Sequence, residues 1–147
     1  MATYTKLDGF VEHMAEGVHN LGSDTLTVAL SNTAPGSEST PPTGATSACI
    51  LANVTQVSYT NCSSRAITTS TSAQTSGTYK LVLADLTLTA SGGTVGPFRY
   101  VYVYNDTPTS PADPLIAYYD YGSSITLNDT ETFLIDFDGT AGLLQVA

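Results

Sequence analysis

The sequence predicts an all-β protein: a jelly-roll-like antiparallel β-sandwich of about eight strands with a short N-terminal α-helix laid across it. Three observations carry this expectation. Between Phe98 and Val146, short alternating runs of aromatic and β-branched residues are separated by Asn, Asp, Gly and Pro, the composition of strands joined by turns. Similar runs recur through the chain at a spacing of roughly 8 to 15 residues, as in sandwiches and barrels. Helical periodicity is confined to the first 21 residues. With 147 residues, 41% of them hydrophobic, the chain can bury a real core and reads as one domain spanning 1–147.

The helix is expected over 5–21. Leu7, Phe10, Val11, Met14, Val18 and Leu21 recur at spacings of three and four and share a face. Thr5 can cap the start, with Asp8 three residues on, and Gly22 stands where a terminal glycine would stop it. Gly9 and Gly17 each cost about 1 kcal/mol relative to Ala, so the helix needs packing. His13 and His19 are six positions apart. On a helix they would lie on different faces, which suits two solvated side chains and makes a poor metal pair.

Asp24 to Ser31 reads as a strand, with Leu26, Val28 and Leu30 in phase. The segment 32–48 is rich in Pro, Gly, Ser and Thr and reads as a long surface loop, a candidate contact arm. Ile50 to Tyr59 reads as one weak strand or two short ones. Arg65 to Thr71 combines β-propensity with little hydrophobicity, as an edge strand does. Tyr79 to Thr89 is apolar on both faces, which implies burial on both sides or a bulge near Asp85. Gly92-Gly93 marks a turn, and Gly96-Pro97 precedes the next strand.

Phe98, Tyr100, Tyr102 and Tyr104 alternate with Val101 and Val103. The aliphatic face is the expected core side. The tyrosine face can stack across strands while its hydroxyls stay wet. Further on, Ile125 and Leu127 share a face. Phe133, Ile135 and Phe137 share another, with Leu134, Asp136 and Asp138 opposite.

The composition bounds function. Four Lys and Arg against thirteen Asp and Glu give a net charge of -9, which disfavours nucleic-acid phosphates and anionic membranes alike. No basic start followed by an apolar run marks an export signal, and no apolar stretch is long enough to span a membrane. Cys49 and Cys62 are therefore expected as reduced thiols. No G-x-S-x-G elbow, phosphate-cradling loop or Cys/His zinc spacing occurs. Asp106, Asp113, Asp120, Asp129, Glu131, Asp136 and Asp138 concentrate in the last third. Asp136-Phe137-Asp138-Gly139 resembles the start of a calcium loop, but the flanking helices and the Glu at the twelfth position are missing. These acids are expected to cap turns and keep the surface soluble. No catalytic, cofactor-binding or metal-ligating residue is assigned, and the chain is expected not to be an enzyme.

Three runs carry a family resemblance: Gly96 to Pro108, Pro114 to Asn128, and Glu131 to Asp138. With the N-terminal helix and Leu21 to Ser31, they resemble a family of small virion structural proteins of tailed bacteriophages. The resemblance covers residues 21–31 and 79–146. It implies a capsid decoration, or cement, protein that sits on the outer shell and bridges neighbouring subunits. Its implied partners are the major capsid protein and copies of itself as a homo-oligomer, with no cofactor. Its implied place is the capsid surface of a virion assembled in bacterial cytoplasm. The alternative is a tail or host-recognition component, for which Tyr118, Tyr119 and Tyr121 are candidate contacts.

Overall fold

The computed structural model of the chain describes residues 2–147. Ten strands and one α-helix run in the order β1 Thr3–Lys6, α1 Asp8–Ala15, β2 Leu26–Ser31, β3 Ala66–Ile67, β4 Thr69–Thr75, β5 Thr78–Leu83, β6 Leu86–Thr89, β7 Val95–Asn105, β8 Leu115–Leu127, β9 Thr132–Ile135 and β10 Leu144–Val146. Every strand pair is antiparallel. The largest sheet has the order β1-β8-β7-β2-β3, and two smaller ones are β10-β5-β4 and β6-β9. The fold is all-β and sandwich-like, as the alternating runs predict.

Its centre is β7. A register shift between Phe98 and Tyr100 changes the phase of the strand. Phe98 therefore joins Val101 and Val103 on the face that meets the two smaller sheets, packing with Leu30, Leu81, Leu83, Leu88 and Ile135. Tyr100, Tyr102 and Tyr104 form a second core with Leu7, Ala29, Cys49, Val54 and Leu115. The expectation of wet hydroxyls fails for Tyr102, which is 0% exposed with its oxygen unpartnered. An amphipathic ring goes dry when a distant segment covers it.

That cover comes from 33–54. This segment holds two short 3-10 turns, Thr46–Ala48 and Leu51–Asn53, and not the strands expected over Ile50 to Tyr59. Leu51 N–H donates to Asp113 O, and Leu115 N–H to Cys49 O, so main-chain bonds hold it against the rest of the chain. Thr46 Oγ1 donates to Glu12 Oε2 at 2.7 Å. Pro42 is buried, and Glu38 lies close enough to Tyr102 to help push its hydroxyl pKa up, after burial itself. The loop 32–48 is thus partly docked, and it is not a free excursion.

The helix is shorter than its apolar spacing suggests. Thr5 belongs to β1, and Leu7 at the helix start supplies no side-chain cap. Gly17 at φ +77° stops the helix, not Gly22. Gly17 N–H bonds Met14 O and Val18 N–H bonds His13 O, which completes a Schellman motif. Leu21 still reaches the core, on a returning turn rather than a helical face. The apolar run Tyr79 to Thr89 splits at Ala84–Asp85, where the chain leaves one small sheet for the other. The bulge expected near Asp85 is instead a gap between two strands, and Asp85 Oδ1 accepts Phe137 N–H at 3.0 Å. Arg65 to Thr71 divides into β3 and β4, both outermost strands.

Two outcomes follow from the covered tyrosine face. Deleting 33–47 strips that cover and should cost at least about 2 kcal/mol, the scale of exposing one large apolar side chain. Urea unfolding of the deletion protein measures it. Tyr102→Phe removes a buried hydroxyl that has no partner, so stability should be unchanged or rise by up to about 1 kcal/mol. Tyr59→Phe, which loses the 2.8 Å bond from Leu30 N–H, should instead cost about 1 kcal/mol on the same assay.

Candidate functional site

The histidines read as solvated are drawn together and covered. His13 lies on α1 and is 4% exposed. The Schellman turn brings His19 back beside it, with ring centroids 6.0 Å apart, and Phe10 lies 5.0 Å from His19 on the same side. Buried Asn105 at the end of β7 donates from Nδ2 to Asp24 Oδ2 at 2.6 Å, and the same nitrogen lies 3.1 Å from His19 Nδ1. With Nδ1 accepting, the ring proton sits on Nε2, which has no partner; nor has His13 Nδ1. Burial first, then the His13 charge, lower the His19 pKa from 6.5 to about 4, and Asp24 opposes this only partly. The cluster packs the helix turn against β7.

The acids of the last third do not converge. Asp120 pairs with Arg99 through two bonds of 2.7 and 2.9 Å, which holds its carboxyl below the usual range. Asp129 accepts Gly92 N–H, and Glu131 accepts Asn128 N–H. Asp138 accepts the Thr140 and Ala141 N–H groups, and these bonds lower its pKa. Burial, then neighbouring Asp106, raise that of Asp113. Among the described residues, no three His, Cys, Asp or Glu are grouped to hold a metal ion. Cys49 is buried, Cys62 is half-buried, and the two are not bonded.

The tyrosines divide. Tyr118 turns to the second core, 5.5 Å from Tyr102. Tyr119 and Tyr121 face the other way, as alternation along β8 requires. Tyr119 stacks 5.3 Å from Tyr4, and Tyr121 meets Phe133 at 5.6 Å. Burial pushes both Tyr4 and Tyr119 up to about 12.

These rings belong to a continuous open side of the sandwich. A hollow of about 310 Å³ lies between the middle of β8 and β9, lined by Ala2, Tyr119, Tyr121, Phe133, Leu134 and Asp136 among others. It shares Ala2, Tyr119 and Asp136 with a hollow of about 700 Å³ between β1 and β10. That one shares Lys6, Leu144 and Gln145 with a third of about 310 Å³ under α1. The large apolar side chains exposed among the described residues are Tyr4, Val11, Tyr121, Leu134 and Val146. All five line this track.

As contact candidates, sequence reasoning reached one of these, Tyr121, together with Tyr119 in the same hollow. Leu134 carried a signal, because it is apolar in the outward phase of its strand. Tyr4 and Val146 carried none. No family model, no curated protein and no solved structure matches this chain.

His19 sets a pH dependence. Its depressed pKa means that the unfolded chain binds a proton between pH 6.5 and about 4 while the folded chain does not. The stabilisation is full above 6.5 and drains away as pH falls towards 4. His19→Gln should remove that part of the slope in urea titrations at pH 7, 5.5 and 4.5, all inside or above the window set by the shift. Equal slopes in the two proteins would refute this.

Proposed function

We propose that the chain is a non-enzymatic virion structural protein of a tailed bacteriophage, a decoration or cement protein that binds the outer capsid shell and bridges neighbouring major capsid subunits. The observation that carries the reading is the clustering of exposed apolar side chains. Tyr4, Val11, Tyr121, Leu134 and Val146 line three hollows joined in series by shared residues, whereas solitary apolar residues scattered over a surface would need no explanation. A contiguous track of this kind suits a docking surface. The runs that resemble phage virion proteins build β7, β8 and β9, and β8 and β9 frame that surface. Many copies, each burying a modest interface, would add up to a large stabilisation of a shell. The sparse positive charge fits an outer position away from packaged DNA.

A second reading, a tail or host-recognition component, is favoured by the aromatic strip of Tyr4, Tyr119 and Tyr121. Rings with apolar faces and polar tips can stack on a sugar or an apolar protein patch.

Quantitative mass spectrometry of purified virions separates the two. A copy number comparable with that of the major capsid protein is expected. A handful of copies per particle would sink the cement reading in favour of the tail. Leu134→Asp should leave stability within about 0.5 kcal/mol, since Leu134 is 55% exposed. The same variant should fail to coat shells in a sedimentation assay.

A further inference from the structure

The open side is also where the sheets leave their edges unfinished. Other edges are blunted. β3 has two residues, and β4 carries only Thr, Ser, Ala and Gln. The Thr89 end of β6 is covered by Ser63, whose N–H donates to Thr89 O and whose Oγ accepts Thr89 N–H. β1 is also short and carries two Thr and Lys6, but among the described residues nothing is laid across its outer side. Leu7 N–H donates to Ile116 O, so by the alternation of an antiparallel ladder Thr3 and Thr5 face β8. Tyr4 and Lys6 then present their N–H and C=O groups outward, over the hollow that separates β1 from β10. No hydrogen bond reaches these groups among the described residues.

Charge restricts what can add there. Asp136 and Asp138 line the hollow, and among the described residues Lys6 is the one cation with them. Of the four cationic side chains, Arg65 donates to Val28 O, Lys80 to Thr140 O, and Arg99 is paired with Asp120. A second copy of this chain would bring a net charge of -9 against -9 with almost no free cation to offset it. We propose that β1 accepts an extended, cationic segment of a different protein as an added strand, its apolar side chains lying in the track and its Lys or Arg side chains meeting Asp136 and Asp138. Main-chain bonds to Tyr4 and Lys6 supply affinity, and the pockets for alternate side chains supply selectivity. This rests on the reading of the open side as an interface and names the chemistry of its partner.

The test uses the isotope-labelled full chain and two short blocked peptides, one alternating Val and Lys, the other Val and Glu. The Val–Lys peptide should slow hydrogen exchange at the Tyr4 and Lys6 amides, less so as salt rises. It should bind at least about tenfold tighter than the Val–Glu peptide. Asp136→Lys, at an exposed position with no side-chain bond to lose, should cancel that preference. Tyr4→Pro, which removes an outward donor, should abolish protection. The inference is overturned if neither peptide protects these amides, or if both do so equally. It is equally overturned if the amides become protected in peptide-free protein as concentration rises, because the occupant is then a second copy. Peptide binding without shell binding would sink the virion reading alone. Shell binding by Tyr4→Pro at full occupancy would sink the added strand alone.

Discussion

A strand with no wet face needs two covers, and β7 is such a strand. Its aliphatic side is closed by the two smaller sheets, its tyrosine side by the irregular segment 33–54. Burying rings and branched chains on both sides removes several large apolar side chains from water, each a contribution of about 1.5–3 kcal/mol. The remaining architecture is arranged to keep both covers in place. Gly9 shows how tightly. A Cβ at that position would stand 2.5 Å from the Cβ of Cys49, so the helix can approach the covering segment only because the residue has no side chain.

The same two-sided burial decides how much of the fold the sequence discloses. β2, β7 and β8 are legible because period-two alternation is a local property. Which face of β7 is dry is not local. A tyrosine suits a wet or a dry surface, and the residues that cover Tyr102 come from Glu38 and its neighbours, some sixty positions earlier. The helix misleads for the opposite reason. Val18 and Leu21 continue the apolar spacing, yet Gly17 turns the chain, and Leu21 reaches the core by a route that periodicity cannot distinguish from helix. β1 is invisible because Thr3–Lys6 has no apolar alternation of its own. It is a strand because β8 offers it a ladder. Of the candidate site, the out-of-phase Leu134 was legible and the open edge was not.

Polar groups carried into the interior are handled unequally. Tyr59 accepts Leu30 N–H and lies under Arg65, whose guanidinium carbon is 3.7 Å from the ring centroid and which also donates to Val28 O. That arrangement holds the end of the main sheet where β3, with two residues, offers little ladder. The Asn105–Asp24–His19 cluster ties the helix turn to the end of β2 and β7 where Leu26 pairs with Asn105, but it leaves His19 Nε2 unpartnered, as is Nδ1 of neighbouring His13. An unsatisfied buried group costs about 1–3 kcal/mol. The histidine cluster is therefore a weak point of the core.

Edges complete the logic. A sheet shields an edge by shortening it, by making it polar, or by laying chain across it, and β3, β4 and β6 use these three means in turn. β1, β9 and β10 are short as well, with four, four and three residues, but no described chain is laid across β1, and the hollows beside these strands are lined by the five large apolar side chains exposed among the described residues. Such an edge would ordinarily invite pairing between copies. The net charge of -9 opposes that pairing at long range, while a cationic neighbour meets no such barrier. Apolar surface and open backbone supply the attraction, and charge selects which chain can use it.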